Sequence, residues 1–163
     1  MVKSKQKFLK VKKLSKDAEL PEYALESDVG FDLRANEEAT LGSMEHRAIK
    51  TGISIEIPEG CVGLIRDRAG IITKMGVHTV AGTFDPAFRG EVSIILTNFG
   101  DEEVSIEKGM RIAQMIIIPV ERVKITEADE LSKTVRGKRS FGSTGITNII
   151  KELDDLDEMS KED

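Results

Sequence analysis

The chain has 163 residues, 39% apolar and 33% charged, with a formal net charge of −5 at neutral pH. That length suits one domain with a real core and a short tail, and the acidic balance argues against general nucleic-acid affinity. No apolar run nears the roughly 18 residues of a membrane helix, and the basic start, Met1 to Lys7, leads into no apolar signal core. A cytoplasmic protein with no nucleic-acid or membrane partner is therefore expected.

Lys7 to Leu14 mixes lysines with apolar residues as an edge strand does. Ala18 to Asp28 reads as loop, broken at Pro21. In Asp28 to Ala35, Asp32 sits among apolar neighbours on a short predicted strand, and an acid there needs a partner, whether in a buried salt bridge or in a site. Ile53, Ile55 and Ile57 alternate with Ser54 and Glu56 up to the turn Pro58-Glu59-Gly60, and Val62 and Leu64 continue the period of two, which predicts a hairpin. Cys61 is the single cysteine. It permits no internal disulfide, has no cysteine or histidine cluster to bind metal with, and is expected to be a small buried residue. His46 and His78 are expected to pair or pack.

Arg66 to Gly76 breaks the period of two. Arg68, Ala69 and Gly70 open about two helical turns, and free amides at such a start, with a guanidinium fork beside them, suit an anion. A solvated Arg-Asp-Arg cluster over a short helix is the plainer alternative. Thr79 to Gly90 then runs into the alternating stretch Glu91 to Asn98, with Val92, Ile94 and Leu96 on one face, and the whole predicts a β-hairpin with a short turn. That turn holds Asp85 beside Pro86, rings at Phe84 and Phe88, and glycines at Gly82 and Gly90 where backbone could approach a ligand. The plainer reading is a tight turn started by Asp85 with both rings buried.

Val104 and Ile106 mark a further strand, and Lys108-Gly109 turns into Arg111 to Pro119, the most apolar stretch, where Arg111 and Gln114 are the polar exceptions. A strand this apolar is covered on both faces, which in a short chain points to subunit contact and an oligomer. Val123 and Ile125 are expected to close the strands, followed by polar connection from Thr126 to Val135. Arg136 to Gly145 is rich in glycine, cations and hydroxyls, suiting either a phosphate-binding arm or a flexible linker. Beyond Thr147, Ile149, Ile150, Leu153 and Leu156 fall at helical spacing among acids, as in a short amphipathic helix. The division expected is a β domain over 1–135, a glycine-rich arm over 136–147 and an acidic tail over 148–163.

Taken together, five stretches in order resemble the trimeric dUTPase family, from about Lys7 to Gly145: Phe31-Asp32-Leu33, Arg68-Ala69-Gly70, Gly82 to Gly90, Gly109 to Gln114, and Arg136 to Gly145 with its Phe-Gly-Ser-Thr-Gly. The resemblance implies an all-β, jelly-roll-like barrel subunit with one short helix, a homotrimer with active sites at subunit boundaries, and hydrolysis of dUTP to dUMP and pyrophosphate. It implies Asp85 as the base that activates water, and uracil read by main-chain groups near Gly82 and Ser93, with the Phe88 ring under the deoxyribose. Arg68, Ala69, Gly70, Gln114, Arg136, Gly142, Ser143 and Thr144 would meet the substrate, and Phe141 would stack on the base. Mg²⁺ would be held by phosphates and waters rather than by the protein directly, with Asp32 reached through water and Asp32 and Asp67 otherwise in supporting positions.

Four residues depart from the family pattern. Ala69 stands where a serine hydroxyl is usual, Asp67 where proline is common, Phe88 for a tyrosine and Ser140 for a glycine; Asp67 is expected to orient Arg68. Related deoxycytidine triphosphate deaminases share a hairpin like His78 to Phe88 but carry a glutamate ten positions after the aspartate, where this chain has Ile95, and isoleucine moves no protons. A catalytically weak dUTP-binding regulator is the remaining alternative.

Overall fold

The computed structural model describes residues 7–135 together with Gly137 and Lys138. Two compact units divide the chain, Met1–Val123 and Lys124–Asp163. In the first, β1 (Lys10–Lys13), β4 (His46–Glu56), β8 (Glu91–Asn98) and β6 (Val77–Thr79) form an antiparallel sheet in that spatial order. A second antiparallel sheet runs β2 (Phe31–Arg34), β10 (Arg111–Pro119), β5 (Cys61–Arg66) and β7 (Thr83–Phe84), and β3 (Ala39–Leu41) pairs with β9 (Val104–Ile106). The one helix among the described residues, α1, spans Ala69–Met75. The all-β expectation with a single short helix holds.

Alternation decides which faces meet. Val92, Ile94 and Leu96 of β8 are buried with Ile49, Ile53 and Ile55 of β4, and Leu33, Ile65, Ile112 and Met115 of the second sheet join the same core. Cys61 is free and buried there, as expected. The outward side chains of the second sheet differ. Ile116 pairs with Leu64 and Ile118 with Val62, none of the four is buried, and Ile118 is 38% exposed. The expected cover on both faces of β10 is therefore not supplied by the described residues of one chain.

Three expectations about partners change. β4 and β5 do not form a hairpin: the Pro58–Gly60 turn, closed by the Cys61 N–H donating to the Pro58 carbonyl at 3.1 Å, carries the chain from one sheet to the other. A period of two identifies a buried face but not the strand alongside, and both strands found distant neighbours instead. The central hairpin does form, between β6 and β8, but its link is long rather than a short turn. Within residues 80–90 the chain leaves the first sheet so that Thr83 and Phe84 pair with Leu64 and Gly63 of β5. Val123 and Ile125 are in no strand and are 77% and 92% exposed. The β10 ladder ends at Pro119, which has no N–H to extend it.

The described part of the second unit has no helix or strand. Gly137, at φ +53°, donates its N–H to the Thr134 carbonyl at 3.1 Å, closing a turn. The expected tail helix and most of the glycine-rich arm lie outside the described residues.

One buried polar side chain pins the end of the first sheet. Asn98, fully buried, donates Nδ2 to the carbonyls of Leu41 at 3.1 Å and Glu102 at 2.7 Å, and its Oδ1 accepts the Gly100 N–H at 2.9 Å. Asn98→Ala should lower stability by about 1–3 kcal/mol in urea unfolding, because buried backbone groups lose their partner.

Candidate active site

Asp32 projects from β2 with its side chain only 8% exposed, and its Oδ2 lies 2.7 Å from Arg68 Nη1 and 3.3 Å from Arg111 Nε. These are close ion-pair contacts without hydrogen-bond alignment. Register across β2 and β10 sets Asp32 opposite Gln114, with Arg66 of β5 next in the row. Close by, the exposed Glu22 takes Arg34 at 2.8 Å and faces Arg111 at 3.5 Å, and the hydrogen bond and charge of Arg34 hold its carboxyl below the usual range. The acid on the predicted strand thus has its partners, Arg68 and Arg111, and Glu22 balances Arg111 from the other side.

Arg68 is the N-cap residue of α1, in extended backbone, and no side chain caps the helix. Ala69 and Gly70 are exposed, and a Cβ at Gly70 would meet nothing within 4 Å. Asp67 and Arg68, expected to act together, do not pair side chain to side chain. Arg68 reaches Asp32, while Asp67 Oδ1 accepts the Thr79 N–H at 2.6 Å and the Thr79 hydroxyl at 2.7 Å. Its Oδ2 lies 3.5 Å from Nδ1 of His78, whose ring packs edge-on against Phe99. Burial pushes the Asp67 carboxyl up, but the Thr79 bonds and the His78 side chain outweigh it and hold the group below its ordinary 3.8. Gln114 Nε2 donates to the Asp67 carbonyl at 2.9 Å, so this side chain holds the turn that leads into α1.

The loop between β6 and β8 carries the second group. Pairing of the two strands ends at Val80, whose N–H donates to the Ile95 carbonyl at 3.1 Å. Beyond that point the hairpin splays, with Gly82 on one arm and Ser93 on the other. Gly82 takes φ +147° and lies so close to β5 that a Cβ would stand 2.3 Å from Ile65 Cβ, while its carbonyl accepts the Ile65 N–H at 2.8 Å. No side chain fits there. Asp85 follows at the exposed start of a turn closed by the Phe88 N–H on its carbonyl at 3.1 Å. Phe84 is buried and Phe88 stands edge-on to it with ring centres 5.2 Å apart, above Gly90, where a Cβ would come within 2.9 Å of the ring. Arg89 locks the turn by donating Nη1 to the carbonyls of Pro86 at 2.6 Å and Phe88 at 2.7 Å. Asp85 lines a cavity of about 980 Å³ floored by the outward apolar residues Val62 and Leu64.

Within one chain these groups form two clusters rather than one site. Asp32, Asp67, Arg68, Ala69, Gly70, Arg111 and Gln114 gather at the Arg66 end of β5, while Gly82, Asp85 and Phe88 follow the loop toward its Cys61 end. Phe84 pairs with Gly63, so Asp85 stands near Val62, six positions from Arg68. At about 3.3 Å per extended residue, β5 alone sets roughly 13 Å between the Val62 and Arg66 positions. Arg136, Phe141, Gly142, Ser143 and Thr144 lie outside the described residues. Thr79 and Arg89 were missed from sequence, since a threonine at a strand end and an arginine after a turn carry no signal of their own.

A family model described as dUTPase matches residues 16–145. The deoxyuridine 5'-triphosphate nucleotidohydrolase of Clostridium tetani is 48% identical over 139 residues, covering 84% of this chain and 96% of that protein. The enzyme of the same name from Hydrogenobaculum sp. is 48% identical over 141 residues, covering 85% and 98%. Among solved structures, a Staphylococcus bacteriophage 80alpha dUTPase with dUPNHPP superposes with a TM-score of 0.81 at 31% identity, covering 86% of this chain and all of that one.

Because Gly82 combines a left-sided φ with contact against Ile65, Gly82→Ala should destabilise the fold by about 1–3 kcal/mol through backbone strain and overpacking. Amide exchange of Ile65, whose N–H bonds the Gly82 carbonyl, should accelerate in that variant more than exchange in β4.

Proposed function

The chain belongs to the dUTPase family, and on that premise we propose that it hydrolyses dUTP to dUMP and pyrophosphate, limiting uracil in DNA and supplying dUMP. The observation that carries the reading is the loop at Gly82 to Phe88, which holds an exposed carboxylate and a ring rigidly beside the splayed end of a hairpin. Uracil presents two carbonyl acceptors around one N–H donor, so main-chain groups near Gly82 and Ser93 can match it and leave cytosine with mismatched donors. Phe88, packed on Phe84, would lie under the deoxyribose and leave a 2′-hydroxyl neither room nor partner. Asp85 accepts the proton of a water that attacks the α-phosphorus, and Arg68, the α1 amides at Ala69 and Gly70, and Gln114 hold the phosphates while pyrophosphate leaves. From the arm, Arg136, Gly142, Ser143 and Thr144 would add phosphate donors and Phe141 would stack on the base.

Mg²⁺ belongs to this proposal. Among the described residues no three His, Cys, Asp or Glu side chains converge as a metal set; the exposed Asp85 offers the hard carboxylate oxygens that Mg²⁺ takes through its waters, whereas Asp32 is mostly buried against Arg68 and Arg111. That suits an ion held mainly by the triphosphate, which when bound would neutralise phosphate charge. A homotrimer is proposed on two grounds. The outward row of Val62, Leu64, Ile116 and Ile118 needs cover, and Arg68 and Asp85 of one chain stand too far apart to serve one α-phosphate, so each site would draw them from different subunits. No helix among the described residues is long and apolar enough to cross a membrane. A cytoplasmic location is part of the same reading, as are the divisions at 1–135, 136–147 and 148–163.

Incubation with each deoxynucleoside triphosphate and Mg²⁺ should release pyrophosphate from dUTP alone, and Asp85→Asn should reduce turnover by about 10² to 10⁴ while nucleotide still binds. Equal hydrolysis of dCTP or dTTP would remove the uracil assignment, and binding without turnover by the native chain would make it a regulator. Subunit sharing has its own test. Asp85→Asn and Arg68→Ala chains, each inactive, should regain about a quarter of native activity when unfolded and refolded together in equal amounts, since that share of mixed sites joins a native Asp85 to a native Arg68. No recovery would place both residues in one chain's site.

A further inference from the structure

The turn that opens α1 is weakly anchored by the helix itself. α1 has no buried residue and no side-chain cap, and only Ile71 and Met75 lean on the core. Its position is set by its ends. At the far end Gly76, at φ +67°, donates to the Ile72 carbonyl at 2.9 Å and accepts the Phe99 N–H at 3.0 Å. At the near end, beside the Arg68–Asp32 contact, the turn is held through Asp67, whose carbonyl is held by Gln114 and whose carboxylate holds both the N–H and the hydroxyl of Thr79. Thr79 ends β6, so it is also the point from which the arm bearing Gly82 and Asp85 departs.

We propose that Asp67 is a positioning residue whose carboxylate clasps Thr79 and so fixes the Arg68–Gly70 phosphate turn against the root of the substrate loop. The identity of the ligand rests on the hydrolase reading above; the clasp itself does not. A carboxylate suits the task because one oxygen accepts two donors from the same residue, fixing Thr79 in both backbone and χ1, and because the second oxygen remains for His78. Arg68, released from pairing with its neighbour, is free to reach Asp32 and an anion. Asp67 touches no reacting atom and works only through where it holds Arg68.

The test compares Asp67→Ala, Asp67→Asn and Thr79→Val in the full chain. Asparagine keeps an oxygen acceptor for both Thr79 donors and loses only the charge, whereas alanine loses the acceptor. Asp67→Ala should raise KM for dUTP on the order of 10- to 100-fold with kcat within about threefold, because the phosphate turn is misplaced rather than the base. Asp67→Asn should stay within about threefold of native, and Thr79→Val, missing only the hydroxyl, should fall between the two. Calorimetric titration with inorganic tripolyphosphate should weaken in parallel with KM across the three variants. A normal KM in an Asp67→Ala chain that merely melts earlier would overturn the proposal, as would an asparagine variant as impaired as the alanine one. If Asp67→Ala does not fold, the Thr79→Val comparison decides alone: unchanged KM and unchanged tripolyphosphate affinity refute the clasp. A native chain that leaves dUTP intact defeats the hydrolase reading, while the tripolyphosphate titration still reports on the clasp.

Discussion

The approach of Gly82 to Ile65 is the constraint on which the rest of the site depends. A loop leaving one sheet can add a strand to the other only if its backbone comes flush against β5, and a Cβ 2.3 Å from Ile65 would hold it off. With glycine there, the Ile65 N–H meets the Gly82 carbonyl at 2.8 Å and the next two residues join the ladder beside Leu64 and Gly63. The entropy lost in ordering an unusually free residue is offset by three further effects. Phe84 is buried, Phe88 gains an aromatic neighbour, and Arg89 closes the turn on its own carbonyls. Asp85 is consequently an exposed acid on a rigid support, which is what a group that must meet a water at a fixed point needs.

The same geometry bears on the proposed sharing of the site between subunits. A loop that runs antiparallel to β5 carries its acid away from the cations at the other end of that strand. Covering the apolar row of Val62, Leu64, Ile116 and Ile118 would contribute roughly 1.5–3 kcal/mol for each side chain fully removed from water. The cavity that Asp85 lines is floored by two of these residues. Association and assembly of the site would therefore be driven by burial of one continuous surface.

How much of this was legible in the sequence follows from the range of each interaction. The buried face of β8 is written in Val92, Ile94 and Leu96, and the acid on β2 announces its need for partners because charge among apolar residues is costly wherever it falls. The short helix after Arg68 and the gathering of polar residues at Gly82 to Phe88 were equally readable. Partners were not. Nothing local distinguishes a turn at Pro58–Gly60 that folds β4 onto β5 from one that carries the chain between sheets, and Val123 and Ile125 have the apolar alternation of a strand without a strand partner among the described residues. Asp67 illustrates the limit most clearly: adjacent arginines made a local pair the natural expectation, yet the bonds go to Thr79, twelve positions away.

The corner around Asp32 carries the remaining argument, because it bears on the serine hydroxyl that Ala69 lacks. A hydrogen bond to a charged group contributes about 1.5–3 kcal/mol, so a phosphate site without it must find attraction elsewhere. Here a mostly buried carboxylate is shared by Arg68 and Arg111. Taking three charges out of water is expensive, and such a cluster adds little to stability compared with well-packed apolar residues. Its physical consequence is different: Asp32 keeps two guanidiniums together that would otherwise repel, and holds Arg68, the N-cap residue, at the exposed start of α1, which no side chain caps. A triphosphate placed there would meet an Arg68 side chain already held in position and the free amides of the helix start, so a hydroxyl at position 69 would be an addition to that attraction rather than its source.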